Sequence, residues 1–140
     1  MKALPGTRLV RWSPIYLSEP VGFSSTRWFF NLVAEIETAL SPWALVFRLW
    51  QIELSQGRKR SGEVADRPLD LDLLLYEDVV LEFPSLTLPH PRMHERLFVL
   101  RPLCDLWAWG RHPVLKKSFQ ELAHALKDQE DIFFLTFVEP

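Results

Sequence analysis

With 140 residues, 48% of them hydrophobic and 24% charged, the chain is long enough for one globular domain with a sizeable core. A formal net charge of -2 gives no general attraction to nucleic acid or to a membrane surface, and neither partner is expected. The single cysteine, Cys104, excludes an internal disulfide, and its neighbours Leu103, Leu106 and Trp107 mark it as packing rather than a nucleophile. No stretch reads as a signal peptide or a spanning segment, so a cytoplasmic protein is expected.

Met1 to Leu4 reads as the tail of a helix stopped by Pro5-Gly6. Arg8 to Trp12 reads as a strand, which Pro14 makes an edge or a bulge and Ile15 to Leu17 continues. Ser18 to Thr26 is rich in Ser, Pro and Gly and has the length of a functional loop. Trp28 to Glu37 reads as one strand. Its two faces carry Phe30, Leu32, Ala34 and Ile36, and Phe29, Asn31, Val33 and Glu35. Both are apolar near Phe29, so cover on both sides is expected there. Asn31 has two readings, an amide bonded to nearby backbone or a donor-acceptor pair that reads a heterocycle. Ser41-Pro42 opens a helix with stripe Leu45, Leu49 and Ile52 and a stop at Gly57. Glu53 stands in its last turns, where the macrodipole favours cations. It is solvated, held by arginines or used on a ligand.

Arg58 to Asp66 is a basic loop with little to bury, expected to be mobile until a ligand orders it. Then comes Arg67-Pro-Leu-Asp70-Leu-Asp72-Leu-Leu-Leu-Tyr76, which reads as a strand. Leu69, Leu71, Leu73 and Leu75 share one face, Asp70 and Asp72 the other. Carboxylates two residues apart on one face have Cα atoms roughly 6.5–7 Å apart and repel without a cation. Hard oxygen ligands of this kind suit Mg²⁺ shared with substrate phosphates. The bland alternative is the wet face of a half-buried strand. Against it stand two cationic clusters, Arg58 to Arg67 and His90 to Arg101, which suit a local polyphosphate better than a polymer.

Val79 to Leu81 reads as a short strand, and His90 to Leu100 contains a helix that stops before Pro102. Ser118-x-x-Glu121 is a capping box, with Phe119, Leu122, Ala123 and Leu126 as the buried stripe behind it. Ile132 to Val138 reads as a final strand. Helices mixed with hairpin-like strand pairs give an α+β fold class and a single domain over residues 1–140.

The blocks Ile52-Glu53, Gly57-Arg-Lys-Arg60, Arg67-x-Leu-Asp70-Leu-Asp72-Leu-Leu74, Leu86-Thr-Leu-Pro-His90 and Arg96-Leu-Phe98 resemble the 6-hydroxymethyl-7,8-dihydropterin pyrophosphokinase family. The resemblance runs from about Leu4 to about Leu126. It implies a ferredoxin-like α/β sandwich with a mainly antiparallel sheet, and transfer of pyrophosphate from ATP to a pterin alcohol in folate biosynthesis. It implies two Mg²⁺ ions on Asp70 and Asp72, and Arg58, Arg67, Asp70, Asp72 and His90 as the catalytic set. Arg58, Arg60, Arg67, His90 and Arg96 match contacts to the triphosphate or leaving nucleotide. Glu53, Leu73, Leu86 and Thr87 match positions near ATP. Ser18, Pro20, Val21, Phe29, Asn31 and Phe98 match the pterin pocket. His94 matches no motif position and reads as surface. A monomer is implied.

The chain departs from the family pattern at Ala65-Asp66, where Gly-Pro is usual, and at Trp50, often glutamine. Glu19, where proline or glutamate is usual, is a mild change. The family's initial strand, Gly-Ser-Asn turn and helix have no counterpart before Leu4. That predicts a bare strand edge in an N-terminally truncated fold, met by a longer natural chain, an edge-paired dimer, or another segment such as Ile132 to Val138. Two other functions compete. A nucleotidyltransferase or nuclease would need a third carboxylate and a basic track. A non-catalytic or impaired relative would keep nucleotide or pterin binding alone.

Overall fold

The computed structural model describes residues 4–18, 29–57, 69–126 and 132–135, with backbone only for Ser18, Phe29, Gly57 and 132–135. The chain divides into two compact units, Met1–Arg8 with Ile36–His90 and Leu9–Glu35 with Pro91–Pro140. The described elements are a mixture of helices and antiparallel strands, the α+β content expected from the sequence.

β1 (Thr7–Trp12) pairs with β4 (Ala34–Thr38). Ala39 N–H donates to the Gly6 carbonyl and Ser13 N–H to the Val33 carbonyl, so numbers rise on one strand as they fall on the other, an antiparallel pair. Arg8 bonds Glu37 and Arg11 bonds Glu35 across it, both exposed, and such pairs are worth about 0–1 kcal/mol. Gly6 has φ +63, and a Cβ there would meet Ala39 Cβ at 3.3 Å, so glycine suits the turn into β1.

The long strand expected over Trp28 to Glu37 is two strands, β3 (Phe29–Asn31) and β4, interrupted at Leu32–Val33. The facing chain breaks at Ser13-Pro14, between β1 and β2 (Ile15–Ser18). Pro14 has no N–H for a ladder. The buried Ser13 hydroxyl accepts the Val33 N–H at 3.0 Å and donates to the Pro14 carbonyl at 2.8 Å, so both strands bend together. Cover on both faces is corrected too. Phe30 is 68% exposed and Leu32 45%.

In the first unit, α1 (Pro42–Gly57) starts where Ser41 Oγ accepts the Ala44 N–H at 3.2 Å. Leu45 is buried, and Leu49 and Ile52 half-buried, the stripe read from the sequence. β5 (Leu81–Phe83) and β6 (Leu86–Leu88) form an antiparallel hairpin that buries Leu86 and Leu88. The expected strand at Val79 to Leu81 is therefore shifted toward Phe83.

In the second unit, a short 3-10 turn, Met93–Glu95, precedes α2 (Leu97–Trp107). The helix was expected to stop before Pro102, but it continues through that residue. An interior proline costs about 3 kcal/mol. Burial of an apolar side chain returns about 1.5–3 kcal/mol, and Leu97, Leu100 and Leu103 are buried on one stripe of the helix while Pro102 is itself buried. α3 (Phe119–Ala125) has the predicted capping box, with Ser118 Oγ accepting Glu121 N–H at 3.1 Å and Glu121 Oε1 accepting Ser118 N–H at 3.0 Å. α2 packs on α3, β2 and β3. β7 (Ile132–Leu135) lies antiparallel on β2, in the order β3-β2-β7, so the final strand exists and β2 is its partner. Residues 136–138 of that expected strand lie outside the described residues.

Candidate active site

Exposure alternates along the Asp70–Asp72 stretch as it does in an extended segment, but the stretch belongs to no strand among the described residues, which corrects the expected sheet strand. The alternation survives. Leu69, Leu71 and Leu73 are half-buried, Asp70 and Asp72 exposed. A strand needs a neighbour that supplies a continuous ladder. Here single bonds hold the stretch. Glu53 Oε2 on α1 accepts the Leu71 N–H at 2.5 Å. The Leu74 carbonyl accepts the His90 N–H at 2.9 Å. The Tyr76 hydroxyl donates to the Leu40 carbonyl at 2.7 Å, just before α1.

These bonds gather one set of predicted residues in the first unit. Asp70 and Asp72 present carboxylates, Glu53 sits behind the amide between them, and His90 is tied by its backbone to the same segment. Thr87 is half-buried in β6 and its hydroxyl donates to the Phe83 carbonyl at 3.2 Å. Leu73 is half-buried and Leu86 buried, so Leu86 contributes packing beneath the hairpin. Trp50 is 53% exposed on α1, tilted against Phe47 at 6.1 Å between ring centroids.

The donor set fits Mg²⁺: two exposed carboxylates, hard oxygen ligands, share one side of an extended segment whose other side is half-buried. Among the described residues no three His, Cys, Asp or Glu side chains converge as a ligand group. A carboxylate pair completed by ligand oxygens is the arrangement such a cation uses with phosphates.

The second unit carries a separate set. Asn31 is half-buried on β3, opposite Tyr16 of β2. Arg96 leads into α2, and its guanidinium lies 5.8 Å from the centroid of the half-buried Phe98 ring, a cation–π contact. Burial, then the hydrogen bond to Asp105 at 2.5 Å, pushes the Tyr16 hydroxyl well above its ordinary pKa. Burial also raises the Cys104 thiol, which keeps it protonated and supports the packing reading. His94, expected at the surface, is half-buried with its ring edge-on to His112 at 6.0 Å.

Of the other predicted residues, Pro20, Val21, Arg58, Arg60 and Arg67 lie outside the described residues, as does the basic loop with Ala65-Asp66. Ser18 and Phe29 are described only as backbone, at the ends of β2 and β3. Sequence reasoning missed the Leu71 amide and the Tyr76 hydroxyl as parts that hold the carboxylate segment. One signal pointed to the first. An anionic residue in the last turns of α1 gains nothing from the helix, so Glu53 needed a donor elsewhere.

A family model described as 7,8-dihydro-6-hydroxymethylpterin-pyrophosphokinase (HPPK) matches residues 1–108. The chain is 48% identical over 103 residues to the 2-amino-4-hydroxy-6-hydroxymethyldihydropteridine pyrophosphokinase of Pseudomonas aeruginosa, covering 74% of this chain and 64% of that protein. It is 44% identical over 120 residues to the Bacillus subtilis protein of the same name, covering 86% and 67%. It is 39% identical over 126 residues to the folic acid synthesis protein fol1 of Schizosaccharomyces pombe, covering 90% of this chain and 17% of that protein. The chain thus spans about two thirds of the two bacterial relatives, and 64% of the first.

Proposed function

The chain belongs to the 7,8-dihydro-6-hydroxymethylpterin-pyrophosphokinase family, and from that premise we propose that it transfers pyrophosphate from ATP to 6-hydroxymethyl-7,8-dihydropterin. The observation that carries the reading is the Asp70–Asp72 pair, exposed on one side of a segment bonded to Glu53 and His90, within the matched residues. Pyrophosphokinase is the activity in the names of the two bacterial relatives.

In the proposed reaction the pterin hydroxymethyl oxygen attacks the β-phosphorus in line. The bond from that phosphorus to the α–β bridging oxygen breaks, AMP leaves with the electron pair, and the hydroxyl proton passes to solvent. Phosphoryl chemistry of this kind asks the protein for position and charge neutralisation. Asp70 and Asp72 hold Mg²⁺, two ions by resemblance, which neutralises phosphate charge when bound. Arg58, Arg60, Arg67 and Arg96 bind triphosphate oxygens, and His90 with the arginines offsets charge growing on the bridging oxygen. Glu53, Leu73, Leu86 and Thr87 border the nucleotide. Ser18, Pro20 and Val21 line the pterin, Asn31 pairs with its edge, and Phe29 and Phe98 offer aromatic faces.

The test is product analysis with Mg·ATP and the pterin alcohol. AMP formed one-for-one with a pterin diphosphate is expected. ADP as the nucleotide product, or tight binding of both substrates without turnover, would overturn the reading. No helix among the described residues is long and apolar enough to cross a membrane.

A further inference from the structure

Glu53 has a role that the carboxylate pair itself does not explain. Among the described residues no ladder holds residues 69–75, so the bond that fixes the Leu71 amide has unusual weight. That amide belongs to the peptide that joins Asp70 to Leu71, and a peptide is planar. Fixing its N–H therefore constrains ψ of Asp70 and φ of Leu71. Those torsions set the direction of the Asp70 carboxylate and its spacing from that of Asp72. Glu53 Oε2 accepts this N–H at 2.5 Å, from a half-buried place in the last turns of α1. A carboxylate acceptor makes the stronger, charge-assisted kind of hydrogen bond. The converging-ligand geometry that would make Glu53 a third metal ligand is absent among the described residues.

We propose that Glu53 is a positioning residue for the Asp70–Asp72 pair: through the Leu71 amide it sets the spacing at which the two carboxylates take a divalent cation, without ligating the cation. This rests on the reading of that pair as a metal site. The role belongs to an oxygen acceptor at this position, so the amide of glutamine can perform it and the methyl of alanine cannot.

The test compares Glu53→Gln and Glu53→Ala with the parent chain. Mn²⁺ is titrated by electron paramagnetic resonance into protein saturated with α,β-methylene-ATP. Exchange of the Leu71 amide and the thermal transition are measured alongside. Glu53→Ala should weaken Mn²⁺ binding about 10–100-fold, the range for partners that orient metal ligands, and should expose the Leu71 amide to exchange. Glu53→Gln should restore both to within about threefold of the parent, well short of that range. Alanine binding Mn²⁺ like the parent would overturn the proposal alone. Glutamine binding as weakly as alanine would also overturn it, since charge or direct ligation would then be the role. If the alanine variant fails to fold, glutamine decides alone, because parent-like Mn²⁺ affinity and Leu71 protection support the proposal and their loss overturns it. No Mn²⁺ binding by the parent chain would overturn the metal reading and this proposal with it.

Discussion

The carboxylate segment, Leu69 to Tyr76, and the helix pair from Leu97 to Leu126 are held in opposite ways. Three bonds to the segment come from far along the chain: Glu53 for Leu71, His90 for Leu74, Leu40 for Tyr76. Its acidic side chains face outward and make no core. The helix pair is held by its neighbours. Phe119 N–H donates to the Gly110 carbonyl and Gln120 N–H to the Ala108 carbonyl, so the start of α3 is tied to the end of α2. Leu100 and Phe119 are fully buried, and the Trp107 and Phe119 rings lie 5.6 Å apart. A region built from remote single bonds keeps its acidic side chains out of a core and at the surface. A region built from local packing uses its side chains on itself.

That contrast predicts a double dissociation. Asp72→Asn keeps the side chain's shape and removes charge at the proposed cation. Loss of turnover on the order of 10³-fold or more is expected, since metal stabilisation of phosphoryl transfer is worth several kcal/mol. The denaturation midpoint should barely move, because exposed substitutions away from special features usually stay within about 0.5 kcal/mol. Near-normal activity in Mg²⁺ would break the comparison at its first side. Phe119→Ala should do the reverse and cost about 3–5 kcal/mol of stability through the cavity it leaves. Protein that remains folded should retain turnover, which denaturant titration and a rate measured below the transition can separate. A smaller effect sharpens the local side. Ser118→Ala removes one arm of the capping box and should cost about 1 kcal/mol, read as a shift in midpoint with unchanged slope.

The smallest expected effect is a pH dependence in the turn between α2 and α3. His112 Nδ1 accepts the N–H groups of Val114 and Leu115 at 3.2 and 3.1 Å, so a proton there would face two donors. Burial first, then the neighbouring His94, lowers the His112 pKa below its ordinary 6.5. Between the ordinary and lowered values the unfolded chain holds more protons than the native one. Stability is therefore full above about pH 6.5 and declines as pH falls through the native value. Urea midpoints compared between about pH 7.5 and 5.5 should show the decline, and His112→Gln should reduce it. An equal slope in the variant would assign it to other groups.

Much of this was readable in the chain because it depends on neighbours in sequence. Ser118 and Glu121 are three apart, so each reaches the other's backbone within one turn, whatever surrounds them. Ser41-Pro42, the stripe through Leu45, and the in-out alternation of Leu69 to Leu73 are local in the same sense. The candidate site was legible as residue types, because the Asp-x-Asp spacing puts two carboxylates on one side of any extended segment.

What the tertiary structure decided lies where distant residues compete. The sequence pattern could not show that Ser13 would take the Val33 amide and bend both partners of a hairpin. Nor could it show that the buried stripe on α2 would outweigh Pro102. The Asp70–Asp72 stretch has the pattern of a strand, but a strand exists only when a neighbour completes its ladder, and pattern does not supply the neighbour. In its place a carboxylate on α1, from the weakest part of the helix for an anion, accepts the one amide between the two aspartates. Sequence by itself determined which groups are present and which side of the backbone they share. Only the tertiary structure decided what holds them there, because each of those bonds joins residues at least 16 positions apart.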